Sequence, residues 1–157
     1  MQKITPCLWF DGKAEEAMNF YAGIIPNSKV LSVMRVGDAG PGPKGSVLTA
    51  NFQLNGVEFL ALNGGPQFKF TEAVSFIINC ETQEEVDRYW DKLSEGGRTD
   101  QCGWLKDKYG LSWQITPIQL MQMLKDKDAK KADRVMSAMM KMQKLDIKGL
   151  QRAYDGK

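Results

Sequence analysis

The sequence predicts an α+β fold built from two similar βαβββ modules and a helical C-terminal tail. One pattern occurs at residues 15–21 (EEAMNFY) and again at residues 84–90 (EEVDRYW). It consists of two Glu residues, an apolar residue, two further positions and an aromatic pair. Each copy follows a short apolar run typical of a strand, at residues 7–10 and 74–78. A duplicated strand–helix unit indicates a two-module fold, and the surface between two modules is a common place for a pocket.

The first module begins with a strand at residues 4–10, which ends at Asp11-Gly12. The next segment spaces its apolar residues at i, i+3, i+4 and i+7, as one face of a helix requires: Ala14, Ala17, Met18 and Tyr21. Residues 30–36 are predicted to form a strand, and residues 37–45 a Gly/Pro-rich loop. Strands at 47–54 and 57–62 flank Asn55-Gly56, a strong signal for a β-hairpin turn.

The second module repeats this order in a shorter form. After a strand at residues 73–79, Thr82 and Glu85 form a capping-box pattern, so the helix should begin at Gln83. Gly96-Gly97 supplies a stop at the end of that helix. Short strands are then expected at residues 101–105 and 111–116.

Pro117 opens the predicted helical tail, which contains six of the nine methionines. Helices are expected around residues 118–124, 129–143 and 145–154, with Asp128 as the N-cap of the second. A Met-rich helix face can fill gaps in a core or adapt to varied partners, and core packing is the favoured interpretation.

Composition excludes several classes of function. The net charge of +2 does not indicate a nucleic-acid-binding protein. The charge is unevenly distributed, because residues 125–157 contain ten Lys/Arg and five Asp/Glu. This tail therefore has a net charge of +5, and the rest of the chain has −3. The basic tail could contact phosphates or anionic lipid, but a solvated helix face is the favoured interpretation. No apolar run has the length of a membrane span, and we expect neither a nucleic acid nor a membrane as partner. Three cysteines without CxxC spacing, and no apolar leader before the first strand, predict reduced thiols and a cytoplasmic protein.

The chain contains no histidine, which excludes Ser-His-Asp and Cys-His nucleophilic arrangements. Cys102, beside Gly103 and Trp104, is the best candidate for a thiol activated by other means, with a small buried thiol as the alternative. The acid pairs Glu15-Glu16 and Glu84-Glu85 fall in the first turns of helices, where they suit the positive helix end.

The order of elements and several motifs resemble one superfamily. The motifs are residues 4–12 (ITPCLWFDG), 14–17 (AEEA), 102–115 (CGWLKDKYGLSWQI) and the tail from Arg134 to Ile147. They resemble the PhnB-like branch of the glyoxalase/bleomycin resistance/dioxygenase, or vicinal oxygen chelate, superfamily, a branch also labelled 3-demethylubiquinone-9 3-methyltransferase-like. The resemblance covers essentially the whole chain, as one glyoxalase-like domain with modules at 1–66 and 73–117 and a tail at 118–157. It implies curled sheets around a cavity and a homodimer.

Metal-dependent members of the superfamily use His and Glu side chains from four strands. The resemblance puts those positions near Pro6, Phe59, Val74 and Gln114, the last being the firmest match. Only Gln114 offers a donor atom, and an amide carbonyl is a weak ligand without charge. We therefore expect no catalytic metal and no cofactor. A site built on Cys7, Cys80 and Cys102 remains open, although strand parity places Cys7 on the opposite face from Leu8.

Strand alternation, combined with this resemblance, predicts an apolar cavity with a few polar groups. Gln114 and Asn63 would orient a polar substituent, and aromatic side chains would cover an apolar or planar body. The expected lining residues are Leu8, Phe10, Phe59, Asn63, Phe76, Ser112 and Gln114. The alternative is that these side chains fill the cavity themselves.

The sequence thus favours a metal-free protein that binds a small organic ligand. The alternative is an enzyme, a lyase, isomerase or transferase, that acts on a small organic substrate in the same cavity. The branch label implies methyl transfer, but the residues do not support it. Methyl transfer from S-adenosylmethionine normally uses a Gly-rich loop after the first strand of a doubly wound sheet, and the first strand here ends in a single Asp11-Gly12.

Overall fold

The computed structural model describes residues 2–157. The chain divides into two compact units, one ending at Phe70 and the other comprising Thr71–Lys157. Each unit contains a four-stranded mixed sheet, called sheet 1 and sheet 2 below. Within the described residues neither sheet closes into a barrel.

Sheet 1 has one parallel and two antiparallel strand pairs. The elements of this unit are β1 (Cys7–Phe10), α1 (Ala14–Ile24), β2 (Lys29–Arg35), β3 (Val47–Leu54) and β4 (Val57–Asn63). The strand order is β1-β4-β3-β2, with β1 parallel to β4. The chain reverses between β3 and β4 at Asn55-Gly56, where both residues adopt positive φ (47° and 81°), as the predicted hairpin turn requires.

Helix α1 covers one face of sheet 1 and closes the core of this unit. It packs against β3 and β4 and buries its predicted apolar face. The covered face of the sheet presents alternate residues of each strand, which are buried: Leu8, Phe10, Ala50, Phe52, Leu54, Phe59 and Ala61. Period-2 alternation on the strands and period-3.6 spacing on α1 thus meet in a single core.

Sheet 2 repeats this topology. The elements are β5 (Ser75–Cys80), α2 (Gln83–Ser94), β6 (Arg98–Thr99), β7 (Trp104–Lys106) and β8 (Ser112–Pro117). The order is β5-β8-β7-β6, again with the outer strand β5 parallel to its neighbour β8. Helix α2 begins at Gln83, and the Thr82 side chain caps it by accepting from Glu85 N.

The tail forms three helices with their own apolar cluster. They are α3 (Ile118–Leu124), α4 (Ala129–Met139) and α5 (Ile147–Asp155), and α4 is capped by Asp128 as predicted. The cluster consists of Leu120, Met123, Val135, Leu145 and Leu150. Gln83 joins this cluster to α2, since its amide donates to Leu145 O (3.1 Å) and accepts from Ile147 N (2.9 Å).

The predicted α+β class and the two repeated modules are confirmed. Strand β1 starts at Cys7 and not at Ile4, and the two-residue strand β6 was missed because Arg98-Thr99 is too short to show alternation. Among residues 2–157, no helix combines the length and apolarity that a bilayer crossing requires.

Candidate functional site

Sheet 2 has two chemically different faces. Phe76, Trp113 and Leu105 lie on the face that α2 covers, where Phe76 and Trp113 rings are in contact (5.7 Å between centroids). The opposite face carries Gln114, and it is called the Gln114 face below. Its side chains are Ser75, Ile77, Arg98, Trp104, Lys106, Ser112 and Gln114.

A polar row crosses the Gln114 face over all four strands. Arg98 pairs with Lys106, Lys106 with Ser112, and Ser112 with Ser75. Directly opposed residues have Cβ atoms about 5 Å apart, so two cations and two hydroxyls stand side by side.

A second row lies two residues further along the strands and is less polar. Trp104, Gln114 and Ile77 are direct cross-strand neighbours. Gln114 Nε2 donates to Ser75 Oγ (2.9 Å), which links the two rows, and Gln114 itself is half-buried. Ile77 is 56% exposed. The row therefore presents one amide between an indole and an accessible aliphatic side chain.

Glu72 neutralises the cations of the first row. Its Oε1 atom lies 2.6 Å from Lys106 Nζ and 2.9 Å from Arg98 Nη2, while Asp100 Oδ2 lies 3.4 Å from the same Arg98 nitrogen. The hydrogen bond from Lys106 is the main reason that the pKa of Glu72 is lowered. Glu72 is thus ionised at neutral pH.

Ser112 is the unusual member of the first row. It is fully buried, and its hydroxyl has no hydrogen-bond partner within residues 2–157. Most buried polar atoms in folded proteins are hydrogen-bonded, so the unpaired hydroxyl of Ser112 beside Lys106 is unusual and leaves one buried donor unused.

Asp107 shapes the turn that brings β7 and β8 together. Its Oδ1 atom accepts from Tyr109 N (2.8 Å) and Leu111 N (3.1 Å), and Oδ2 accepts from Trp113 Nε1 (2.9 Å). Asp107 is only 2% exposed. The register of Lys106 opposite Ser112 depends on this turn, so Asp107 positions the polar row without belonging to it.

Within each unit, the structure shows which sheet face each predicted lining residue occupies. Ser112 and Gln114 share the Gln114 face, as strand alternation predicted. Phe76 pairs with Trp113 and lies on the opposite, helix-covered face. Phe76 is therefore not brought together with Gln114, because the two residues have opposite parity across the β5–β8 pair.

In sheet 1, the predicted lining residues lie on the face that α1 covers. Leu8, Phe10 and Phe59 are buried there, and Phe59 stacks on Phe52. Parity correctly grouped these residues and separated them from the exposed Cys7, but it could not tell which face the helix would cover. Their contact with a ligand stays a prediction, and the structure shows them as core residues.

Asn63 uses its amide group within the fold. Its Oδ1 accepts from Ala14 N (2.9 Å) at the start of α1, and its Nδ2 donates to Val47 O (3.0 Å). Asn63 also borders a cleft of about 410 Å³ whose other walls include Asp11, Glu15 and Arg35. Arg35 is held in that cleft by Glu15 (3.2 Å). The predicted role of Asn63 in orienting a ligand stays a prediction.

The residues present do not fit a catalytic metal of the kind that metal-dependent members of the superfamily hold. Of the four implied positions, Phe59 is buried in the core, Val74 and Pro6 carry no donor atom, and Gln114 offers one neutral amide. Across residues 2–157, no group of three or more Cys, Asp or Glu side chains is arranged to hold an ion.

The three cysteines are unpaired and lie in different environments. Burial raises the pKa of the Cys80 thiol to about 12, with a smaller contribution from the negative charge of Glu85. Cys102 is half-buried with positive φ (59°), and its Sγ lies 3.8 Å from Met140 Sδ. No histidine, and no lysine or helix start bonded to the thiol, activates Cys102 in the described residues.

The sequence profile of the family described as 3-demethylubiquinone-9 3-methyltransferase matches residues 2–116. The chain belongs to this PhnB-like family. This match confirms the predicted resemblance to the PhnB-like, 3-demethylubiquinone-9 3-methyltransferase-like branch. No match was found among curated proteins.

Two solved structures illustrate the relationship. A Bacillus cereus PhnB protein, provisionally described as a 3-demethylubiquinone-9 3-methyltransferase, is 44% identical, with a TM-score of 0.69 over 74% of this chain and 99% of that one. A Pseudomonas aeruginosa protein shares 21% identity, with a TM-score of 0.62 over 74% and 98% of the two chains, and so shows the fold alone.

The same fold occurs in a fosfomycin resistance protein, FosX, from Listeria monocytogenes. It is 15% identical to this PhnB-like chain, with a TM-score of 0.57 over 80% of this chain and 98% of FosX. A variant of FosX was crystallised with Mn(II) and 1S,2S-dihydroxypropylphosphonic acid. At this identity the similarity concerns the glyoxalase-type fold and not the ligand.

Sequence reasoning missed several residues of the Gln114 face in this PhnB-like protein. They are Ser75, Ile77, Arg98, Trp104 and Lys106. Extending strand parity from Gln114 across the 107–110 turn would have placed Trp104 and Lys106 on this face. Arg98 and Ser75 depend on β6 and on the β5–β8 register, which only the structure shows.

Proposed function

We propose that this PhnB-like protein binds a small organic ligand on the Gln114 face of sheet 2, without a catalytic metal. The observation that carries the proposal is the in-register grouping of Gln114, Trp104 and Ile77 beside the polar row. An indole, an aliphatic side chain and convergent polar groups are the usual ingredients of a small-molecule site.

Gln114 is the group best suited to orient the ligand. Its Nε2 donates one hydrogen bond to Ser75, and the carbonyl oxygen of the same amide can accept from a ligand hydroxyl or N–H group. Trp104 stands directly opposite and offers a planar apolar surface. The binding mode therefore combines one hydrogen bond with stacking, and it requires no charge on the protein at Gln114.

A homodimer and a cytoplasmic location belong to the same proposal. Edge strand β2 leaves Val30, Leu31 and Met34 exposed, and an uncovered apolar edge favours pairing with another chain. Three unpaired cysteines are compatible with a reducing compartment.

Native mass spectrometry with elemental analysis, on tag-free protein from its own host, tests the proposal. The expected result is a bound organic molecule without stoichiometric metal, and Gln114→Ala should lose that molecule while keeping its circular dichroism spectrum. Asn51→Ala, which removes an amide from sheet 1, is the matched control and should retain it. Stoichiometric, activity-linked metal would overturn the metal-free assignment. Retention of the molecule by Gln114→Ala would place the site elsewhere.

A further inference from the structure

The cations of the Gln114 face are held by a carboxylate that lies outside the sheet. Glu72 precedes β5 and is not part of a helix or strand, and its side chain is half exposed. Lys106, in contrast, is anchored in β7 and its side chain is only 23% exposed. Glu72 is therefore the more exposed partner of this ion pair, and Lys106 is the less exposed partner, placed by a strand.

Lys106 and Ser112 place two hydrogen-bond donors side by side on the Gln114 face. They are direct cross-strand neighbours, and the Ser112 hydroxyl is buried without a partner in the described chain. An ammonium and a free hydroxyl at this spacing can both donate to one carboxylate. Arg98, opposite Lys106, adds a second cation, although Asp100 also contacts it.

The neutral part of a ligand has a place on the same face. Trp104 and Gln114 lie two residues along their strands from Lys106 and Ser112, which is roughly 7 Å. A carboxylate joined to a small ring has about this length. The two rows therefore match a ligand with an anionic end and a planar end.

We infer that Lys106, Arg98 and Ser112 bind the carboxylate of an anionic, ring-sized ligand, and that Glu72 occupies this position until the ligand displaces it. The inference rests on the proposed function, because it names the chemical class of ligand for the same face. Displacement conserves the number of charge-assisted hydrogen bonds to Lys106, while the Glu72 carboxylate returns to water.

Benzoate and its neutral counterpart benzamide test this inference in NMR titrations of the full chain. The readout is the shift of the Gln114 side-chain amide and the Trp104 indole N–H signals. We expect benzoate to bind about tenfold more tightly to Glu72→Gln and about tenfold more weakly to Lys106→Met than to the unmodified protein, the size of one charge-assisted hydrogen bond. Benzamide binding should change less than twofold.

Matched controls come from the exposed Lys44–Asp38 ion pair, which has the same 2.6 Å length. Asp38→Asn and Lys44→Met should leave benzoate binding unchanged. Lys106→Arg keeps the positive charge and should still bind benzoate. This variant keeps the inference testable if Lys106→Met does not fold. Equal benzoate affinity in Glu72→Gln, Lys106→Met and the unmodified protein would overturn the inference.

Two outcomes separate this inference from the proposed function. If benzamide and benzoate shift the Gln114 and Trp104 signals alike in every variant, the binding face stands and the anion inference fails. If neither probe shifts those signals in the unmodified protein or in Glu72→Gln, the anion inference also fails. Gln114→Ala mass spectrometry then decides the proposed function independently.

Discussion

At the scale of a single residue, the buried carboxylate of Asp107 organises the Gln114 face. Two backbone amides, those of Tyr109 and Leu111, and the Trp113 indole donate to it at the turn between β7 and β8. The turn sets the β7–β8 register, and that register places Lys106 opposite Ser112. A residue outside the polar row thus decides which side chains of that row meet.

Asp107→Asn is predicted to destabilise the protein by about 1–3 kcal/mol, because the new NH₂ group cannot accept from Trp113 Nε1 and leaves that buried donor unpaired. Urea unfolding monitored by circular dichroism measures the change. Asp38→Asn removes an exposed carboxylate and should change stability by less than about 0.5 kcal/mol. Equal stabilities of the two variants would contradict the role given to Asp107.

Cys80 and Cys7 are predicted to differ in reactivity because of their burial. Cys80 is fully buried with a pKa of about 12, whereas Cys7 is exposed. Iodoacetamide should therefore modify Cys7 with a rate that rises between pH 7 and 10, and leave Cys80 unmodified in that range. Peptide mass spectrometry measures both sites, and urea-unfolded protein, in which both react, is the control.

The same pKa shift links Cys80 to stability. Because the folded-state pKa of Cys80 lies above its ordinary value of 9.0, burial of the neutral thiol stabilises the fold fully below pH 9. That contribution is lost as the pH rises from about 9 towards 12. Comparable alkylation rates for Cys80 and Cys7 in the folded protein at pH 8 would contradict this assignment.

At the scale of elements, Asn63 joins β4 to the start of α1. The N-cap position of α1 is Lys13, whose side chain makes no capping bond, and Asn63 Oδ1 accepts from the first helical amide in its place. A residue distant in sequence thus does what a local Ser, Thr or Asp does in most helices.

Asn63→Ala is predicted to lower the free energy of unfolding by about 1–3 kcal/mol, since it leaves Ala14 N and Val47 O without their side-chain partner. Asn63→Asp should lose less, because it keeps the acceptor at the positive end of α1. Thermal unfolding of the two variants measures the order. Asn51→Ala, whose bond to Ser32 is exposed, is the control. A loss in Asn51→Ala as large as in Asn63→Ala would contradict the capping role.

At the scale of the whole molecule, apolar side chains remain uncovered on edge strand β2. The proposed homodimer would cover Val30, Leu31 and Met34, and complete burial of such a side chain contributes about 1.5–3 kcal/mol. Leu31→Lys and Met34→Lys are therefore each predicted to weaken the dimer at least about fivefold. Sedimentation velocity over a concentration series measures the effect.

Val57→Lys, which places a charge at an equally exposed apolar position on the β3–β4 hairpin, is the control for this prediction. It should leave the association constant unchanged. A monomeric unmodified protein at all concentrations, or equal weakening by Val57→Lys, would contradict an interface at β2.

The sequence by itself determined the element types and the family of this protein. Local physics suffices there: periodicity predicted α1 and α2, Asn55-Gly56 predicted its hairpin, and Asp128 predicted a cap. Alternation also grouped residues by face, so Ser112 was correctly joined with Gln114. These signals lie within one element or one turn, where spacing along the chain equals spacing in the structure.

Only the tertiary structure decided which faces are covered and which side chains meet across strands. Leu8 and Phe59 lie on the face of sheet 1 that α1 covers, and Phe76 lies on the face of sheet 2 that does not carry Gln114. Helix packing selects one of two sheet faces that alternation treats as equivalent. In the polar row, Arg98 and Ser75 are placed by the β6–β7 and β5–β8 registers, which only the structure shows. Register depends on the pairing of distant backbone groups, and a pattern within one strand carries no information about it.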